Sequence, residues 1–302
     1  MAAGILDVFM RYPILALLLI LSAPLSARTL VASVEPLAMA LRDLYGDSAK
    51  VETLLAPNQS PHNPMLSPRQ MLRLRQADLV VWLGAEAEPA VADLMARRDG
   101  PSLALLSLPE VTRRQGGHDH GNDDHGHDHD HDHDHHDHQG RLDPHLWLDP
   151  ANVAALARGL AERDAGGLPE GQPAAFLAAL ERATDAARAR LAPLSERPWL
   201  SFHNPWGYFQ QRLGLREPVT VSEQLGAGPG SRRFVALAER VERESVRCAV
   251  AEPEAQRALL ARLCPDCRRV DLDPLGRDHP GGGYGAWLDQ VIAAGFQRCL
   301  AP

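Results

Sequence analysis

Fourteen histidines are spread unevenly along 302 residues. Ten of them crowd into HDHGNDDHGHDHDHDHDHHDH: His118, His120, His125, His127, His129, His131, His133, His135, His136 and His138, interleaved with eight aspartates. The other four stand alone: His62, His145, His203 and His279. Neutral imidazole is a ligand for zinc, copper and nickel, whereas manganese and magnesium prefer oxygen. Two kinds of metal chemistry are therefore on offer, a tract and a scaffold site. The tract holds no apolar residue, cannot bury surface to offset its own ordering, and predicts a flexible loop. Imidazoles on such a loop give many similar, weak, exchanging sites, because each binding event must order chain. Ligands placed in advance by a fold avoid most of that cost. The tract therefore reads as an auxiliary collector of such metal ions, its aspartates raising the local cation concentration.

The elements around the isolated histidines say whether they can meet. TLVAS, KVETLLA, DLVVWLG and SLALLSL read as strands. They alternate with the helices EPLAMALRDLYG, SPRQMLRLRQA (Ser67 as N-cap, Pro68 in the first position) and PAVADLMARR. After the tract, DPHLWLDP leads into the helix ANVAALARGLAER, and Gln172 to Leu194 forms a long helical stretch. Alternation restarts with the strands WLSFH, PVTVS, CAVAEP and RRVDLD and ends in the helix GAWLDQVIAAGFQ. Such β-α alternation implies parallel, helix-covered sheets. The expected fold is α/β: two similar parallel-sheet lobes joined by one long rigid helix, with a metal cleft between the lobes. The expected boundaries are 1–27 for a signal peptide, 28–171 for an N-terminal lobe that carries the loop 117–139, 172–194 for the linker helix and 195–302 for a C-terminal lobe.

In open α/β sheets ligands gather beyond the carboxyl ends of strands. His62 follows the second strand, His145 precedes the helix after the tract, His203 ends WLSFH, and Asp273 ends RRVDLD. Three imidazoles and one carboxylate suit a tetrahedral site, and nitrogen donors favour zinc. Each histidine on its own fits equally well as an ordinary hydrogen-bonded or surface residue. His279, in GRDHPGGGYG, reads as a surface residue.

Composition narrows the setting. The chain is 45% hydrophobic and 23% charged with a net charge of -8, an ordinary globular balance with no basic footprint for nucleic acid. Arg11 followed by YPILALLLILSAPLSA reads as an export signal with cleavage after Ala27, too short for a spanning helix. The expectation is an exported, periplasmic protein, soluble after cleavage. Four cysteines in an exported chain favour disulfides, and four allow three pairings. Cys264 and Cys267 form CPDC, which follows a helical stretch instead of opening one, so redox catalysis is disfavoured.

At this point the chain resembles the zinc-uptake periplasmic solute-binding proteins, the metal receptors of ABC transporters. The likeness covers essentially the whole mature chain. It is carried by VASVEPLAMAL, APNQSPHNPMLSPRQMLRLRQADLVVWLGAEAEP, DPHLWLDPANV, FHNPWGYFQQRLGL and VDLDPLG, and by the tract just ahead of DPHLWLDP. The resemblance implies that His62, His145 and His203 bind the metal, with Asp273 as a fourth ligand or that position left to water. It implies zinc, since manganese-type members carry Glu where His203 stands. It also implies a Cys248–Cys299 disulfide, a membrane permease as partner, and a monomer that is not an enzyme. Two positions depart from the family pattern: Pro64 stands where an aromatic is usual and Gln70 where an acid is usual. SEQLGAGPGSRR is also glycine-richer than the family norm. The alternatives are a metal-buffering protein working through its tract and, further off, a zinc hydrolase, for which no HExxH-type motif is present. Nickel or copper are the other metals a His-rich tract accepts.

Overall fold

The computed structural model describes residues 28–61, 64–116, 142–222, 229–279 and 282–302. The expected signal peptide and the His/Asp tract lie outside these residues, as does His62.

The first sheet holds β1 (Arg28–Ala32), β2 (Ala49–Thr53), β3 (Leu79–Trp82) and β4 (Ser102–Ala104), all parallel, in the order β2-β1-β3-β4. Its helices are α1 (Glu35–Tyr45), α2 (Pro68–Gln76) and α3 (Pro89–Ala96). α1 begins with proline in its first turn and stops at Gly46, whose φ of 51° is the backbone region that favours glycine. α2 begins at a capping box: the Ser67 hydroxyl accepts from the Gln70 N–H, and the Gln70 side chain reaches back to Ser67. Gln70 also donates to the Leu54 carbonyl at 2.7 Å, a bond that an ionised acid at this position has no proton to make.

α4 (Pro150–Arg163) leads to the long helix α5 (Gln172–Leu191), which a short 3-10 turn, Ala192–Leu194, extends. α5 buries Phe176, Leu180, Thr184, Ala187 and Leu191, one stripe at helical spacing. The second sheet holds β5 (Leu200–Ser201), β6 (Val219–Thr220), β7 (Cys248–Ala251) and β8 (Arg268–Asp271). It is again all parallel, in the matching order β6-β5-β7-β8. Its helices are α6 (Gly207–Leu213), α7 (Ser231–Arg243) and α8 (Arg257–Leu263). The chain closes with α9 (Tyr284–Ala286) and α10 (Ala294–Leu300), joined by a π-helical stretch, Trp287–Ala293.

Strand periodicity decides how the lobes meet. Leu30 and Ala32, like Leu79 and Val81, face one core, while Val31, Val80 and Trp82 face a separate outer cluster. In the second sheet Cys248 and Val250 join the first core, while Leu200, Ala249 and Ala251 face their own outer cluster. The inner faces of both lobes thus share one apolar core, filled by α1, α4, α5 and the C-terminal helices. Cys248 and Cys299 are bridged, which ties the start of β7 to α10. Cys264 and Cys267 form a second disulfide, a pairing that neither spacing nor resemblance assigned.

Candidate metal centre

Each sheet has a switch point where connections leave in opposite directions, between β1 and β3 and between β5 and β7. A crevice opens there beyond the strand ends. His203 sits at the second of these, two residues past β5. Its loop is held from beneath by Glu252, one residue past β7. The Ser201 hydroxyl lies 2.6 Å from Glu252 Oε1 and 2.7 Å from the His203 carbonyl oxygen. Burial pushes the Glu252 carboxyl up to about 7, against the opposing pull of the Ser201 hydroxyl and nearby backbone donors. A protonated Glu252 can donate to Ser201 while Ser201 donates onward to the His203 carbonyl.

His145 arrives from the segment just before α4, at the head of a 3-10 turn, Leu146–Leu148. It is buried, and its Nδ1 lies 2.7 Å from Asp143 Oδ1, which also accepts from the His145 backbone N–H at 3.0 Å. With the Nδ1 proton donated to that carboxylate, the lone pair stays on Nε2. Trp147 stands edge-on to the ring at 5.4 Å between centroids. The turn is anchored in the C-terminal lobe: Trp147 Nε1 donates to the Pro274 carbonyl and the Tyr284 hydroxyl donates to the Trp147 carbonyl, both at 2.7 Å.

The structure brings His145 and His203 together from the two sides of the cleft, with ring centroids 5.2 Å apart. Both line a cavity of about 10 Å³, along with Pro61, Trp147, Glu254 and Arg277 among others. That is room for about one water-sized sphere. Pro61 immediately precedes His62, which lies outside the described residues. Among the described residues, no three His, Cys, Asp or Glu side chains come together as a ligand set.

Asp273 is buried but lines a wider neighbouring cleft of about 500 Å³ instead of the small cavity. Its oxygens accept four N–H groups. Oδ1 takes the Leu275 backbone and Arg277 Nη2, at 3.1 and 2.9 Å; Oδ2 takes the Arg277 backbone and Nε, at 2.7 and 2.8 Å. His279 is partly buried and lines neither cavity.

Sequence reasoning missed Asp143, Ser201, Arg277 and the support given by Glu252. Asp143 was findable: a carboxylate two residues before a candidate ligand is a ready partner for its second nitrogen. Ser201 and Glu252 were not, because their contact joins positions 51 apart in sequence.

Comparison with known proteins supplies the family. The family model "Zinc-uptake complex component A periplasmic" matches residues 30–294. The high-affinity zinc uptake system protein ZnuA of Paracoccus denitrificans is 31% identical over 292 residues, spanning 86% of this chain and 88% of that one. Its counterpart in Yersinia pestis is 28% identical over 289 residues, spanning 89% and 90%. Among solved structures, a ZnuA crystal structure superimposes with a TM-score of 0.72 at 22% identity, covering 91% of this chain and all of that one. The periplasmic zinc-binding protein TroA of Treponema pallidum gives 0.70 at 16% identity, covering 91% and 99%. The two structures speak for the fold. The family match, which runs through nearly all of the described chain, shows that the protein belongs to the periplasmic zinc-uptake component A family.

Proposed function

We propose that this chain is a periplasmic receptor that captures one zinc ion between its lobes and delivers it to an integral-membrane ABC permease. The observation that carries the reading is the meeting of His145 and His203. In a tetrahedral zinc site each ring nitrogen lies about 2.0–2.1 Å from the metal, and the ring centre roughly 1 Å beyond, so two ligating imidazoles have centroids about 5 Å apart. The two rings here stand at 5.2 Å. His62, next to the cavity-lining Pro61, supplies the third nitrogen. The fourth position belongs to water or to a carboxylate, and Asp273 can take it only by giving up Arg277. Among the described residues no helix is long and apolar enough to cross a membrane. The export reading of residues 1–27 supports the periplasmic setting. The tract acts as an auxiliary zinc collector that feeds the cleft, and the receptor works as a monomer without catalysing a reaction.

Competition titration tests this directly. His62→Ala, His145→Ala and His203→Ala each lower tight zinc affinity at least tenfold, because each removes a ligand. Deleting Gly117 to Gln139 leaves one tight zinc and removes only additional, weaker capacity. If two of the three substitutions leave affinity unchanged, the cleft reading is wrong. If the deletion abolishes tight binding, the protein is a buffer that works through its tract.

A further inference from the structure

The wall of the ion cavity contains a permanent cation. Arg277 lines it together with His145, His203 and Glu254, with only 13% of its side chain exposed. Its fork grips Asp273 through Nε and Nη2, its Nη2 also reaches Glu254 Oε1 at 3.0 Å, and its Nη1 reaches the Pro57 carbonyl of the other lobe at 3.3 Å. An ionised carboxylate offers about four lone-pair sites. Asp273 has four N–H donors, three of them from Arg277. A metal ion therefore finds Asp273 already occupied. The guanidinium cannot be deprotonated to release it.

We propose that Arg277 sets the metal selectivity of the site by holding Asp273 out of the coordination sphere. With Asp273 held by the guanidinium, its oxygens are not offered to an ion bound by the imidazole nitrogens of His145 and His203. Nitrogen suits zinc, whereas manganese and magnesium depend on oxygen donors. Arg277 thus acts as a built-in competitor that excludes hard cations without itself touching the metal. This rests on the reading that His145 and His203 hold the ion.

The test measures zinc and manganese affinities of the full-length mature protein by competition titration, with metal-free melting as the check on folding. Arg277→Gln frees Asp273, and manganese affinity rises at least tenfold relative to zinc. Arg277→Lys, which keeps the charge and loses the fork, falls between. Asp273→Asn in the native background changes zinc affinity less than threefold. Combining Asp273→Asn with Arg277→Gln reverses most of the gain in manganese, because the freed oxygen donor is gone. A general electrostatic role for Arg277 predicts that both affinities rise together at a constant ratio, and that outcome overturns the proposal. So does a large zinc loss in Asp273→Asn alone, which would make Asp273 a ligand beside an intact Arg277. Should His145→Ala and His203→Ala leave zinc binding intact, the site reading itself fails, independently of the Arg277 result. If Arg277→Gln does not fold, Arg277→Lys together with Asp273→Asn still decides the matter.

Discussion

The two lobes share a strand order but solve different problems with it. In the first sheet β1 and β2 pair over five residues each. In the second, β5 and β6 pair over two. The short ladders, those of β5 with β6 and β7, sit in the lobe that carries both disulfides, although β7 and β8 there pair over four residues. Each lobe also buries a glutamate beyond its two central strands. In the first, Leu83 N–H donates to Glu88 Oε2 at 2.7 Å, and burial pushes the carboxyl up to about 7 against the pull of that N–H and the Ser33 hydroxyl. In the second, Glu252 has the same raised value but its partners lead to His203. The carboxylate thus closes on its own loop in one lobe and supports the His203 loop in the other. A matching topology thus specifies where a site can be, and loop chemistry specifies whether one exists.

The largest way to sharpen that contrast is to cut the staples. The Cys248–Cys299 bridge closes a loop of about fifty residues, worth about 4 kcal/mol in the chain-entropy model, and Cys264–Cys267 closes one of four, worth about 2 kcal/mol. Replacing each pair by serine should lower stability in that order. Hydrogen exchange should loosen the second sheet first. Equal loosening of both sheets breaks the idea that covalent closure compensates short ladders in one lobe.

A smaller effect concerns how the loops of the two proposed ligands, His145 and His203, are held. His145 is oriented through its side chain, by Asp143, while Ser201 and Glu252 support His203 through its backbone. Asp143→Ala should reduce zinc affinity about 10–100-fold, the usual loss when the partner of a ligating imidazole is removed. Ser201→Ala should reduce it less. The reverse ranking would show that the His203 loop is the more delicate of the two.

The smallest effect is on stability against pH. Glu88 titrates from an ordinary 4.5 to about 7 on folding. Between these values the folded chain keeps a proton that the unfolded chain has released, so stability falls as pH rises through this window and levels off above it. Glu88→Gln removes that component. With Glu252 still in place, roughly half of the slope should remain in metal-free melting curves, a difference of a few degrees. A slope unchanged by Glu88→Gln would mean that the first lobe's buried carboxyl is not a titrating element.

Much of the fold was legible because strand and helix periods are local. Ser67 and Pro68 announced α2, and EPLAMALRDLYG folds as α1, stopping at its final glycine. WLSFH and PVTVS read as five-residue strands, yet β5 and β6 keep two residues each. The bonding runs further than those bounds: the Val219 N–H donates to the Trp199 carbonyl and the Ser222 N–H to that of Phe202. The Cys248–Cys299 bridge stands as the family resemblance implied. The tie between Asp273 and Arg277 was overlooked although both lie in one loop, because an acid at a strand end was read for its oxygens alone. That both lobes fill one core through α5 and the C-terminal helices could not be read from sequence, since any stripe on α5 fits several partners equally well.

The turn that carries His145 has a kinetic meaning. Trp147 is bonded to Pro274 and Tyr284, Tyr208 takes the Arg114 N–H and donates to the Asp143 carbonyl, and Arg212 forks onto Asp149. If His145 ligates the ion as proposed, a turn fastened at so many points would lose little ordering entropy on capture. The same bonds would keep the ring from swinging away afterwards. Differences in affinity reside mostly in dissociation rates, and a site built this way lengthens the residence time of its ion. Handing zinc over within a transport cycle then calls for mechanical work, in which something outside the receptor pulls the lobes, or this turn, out of register.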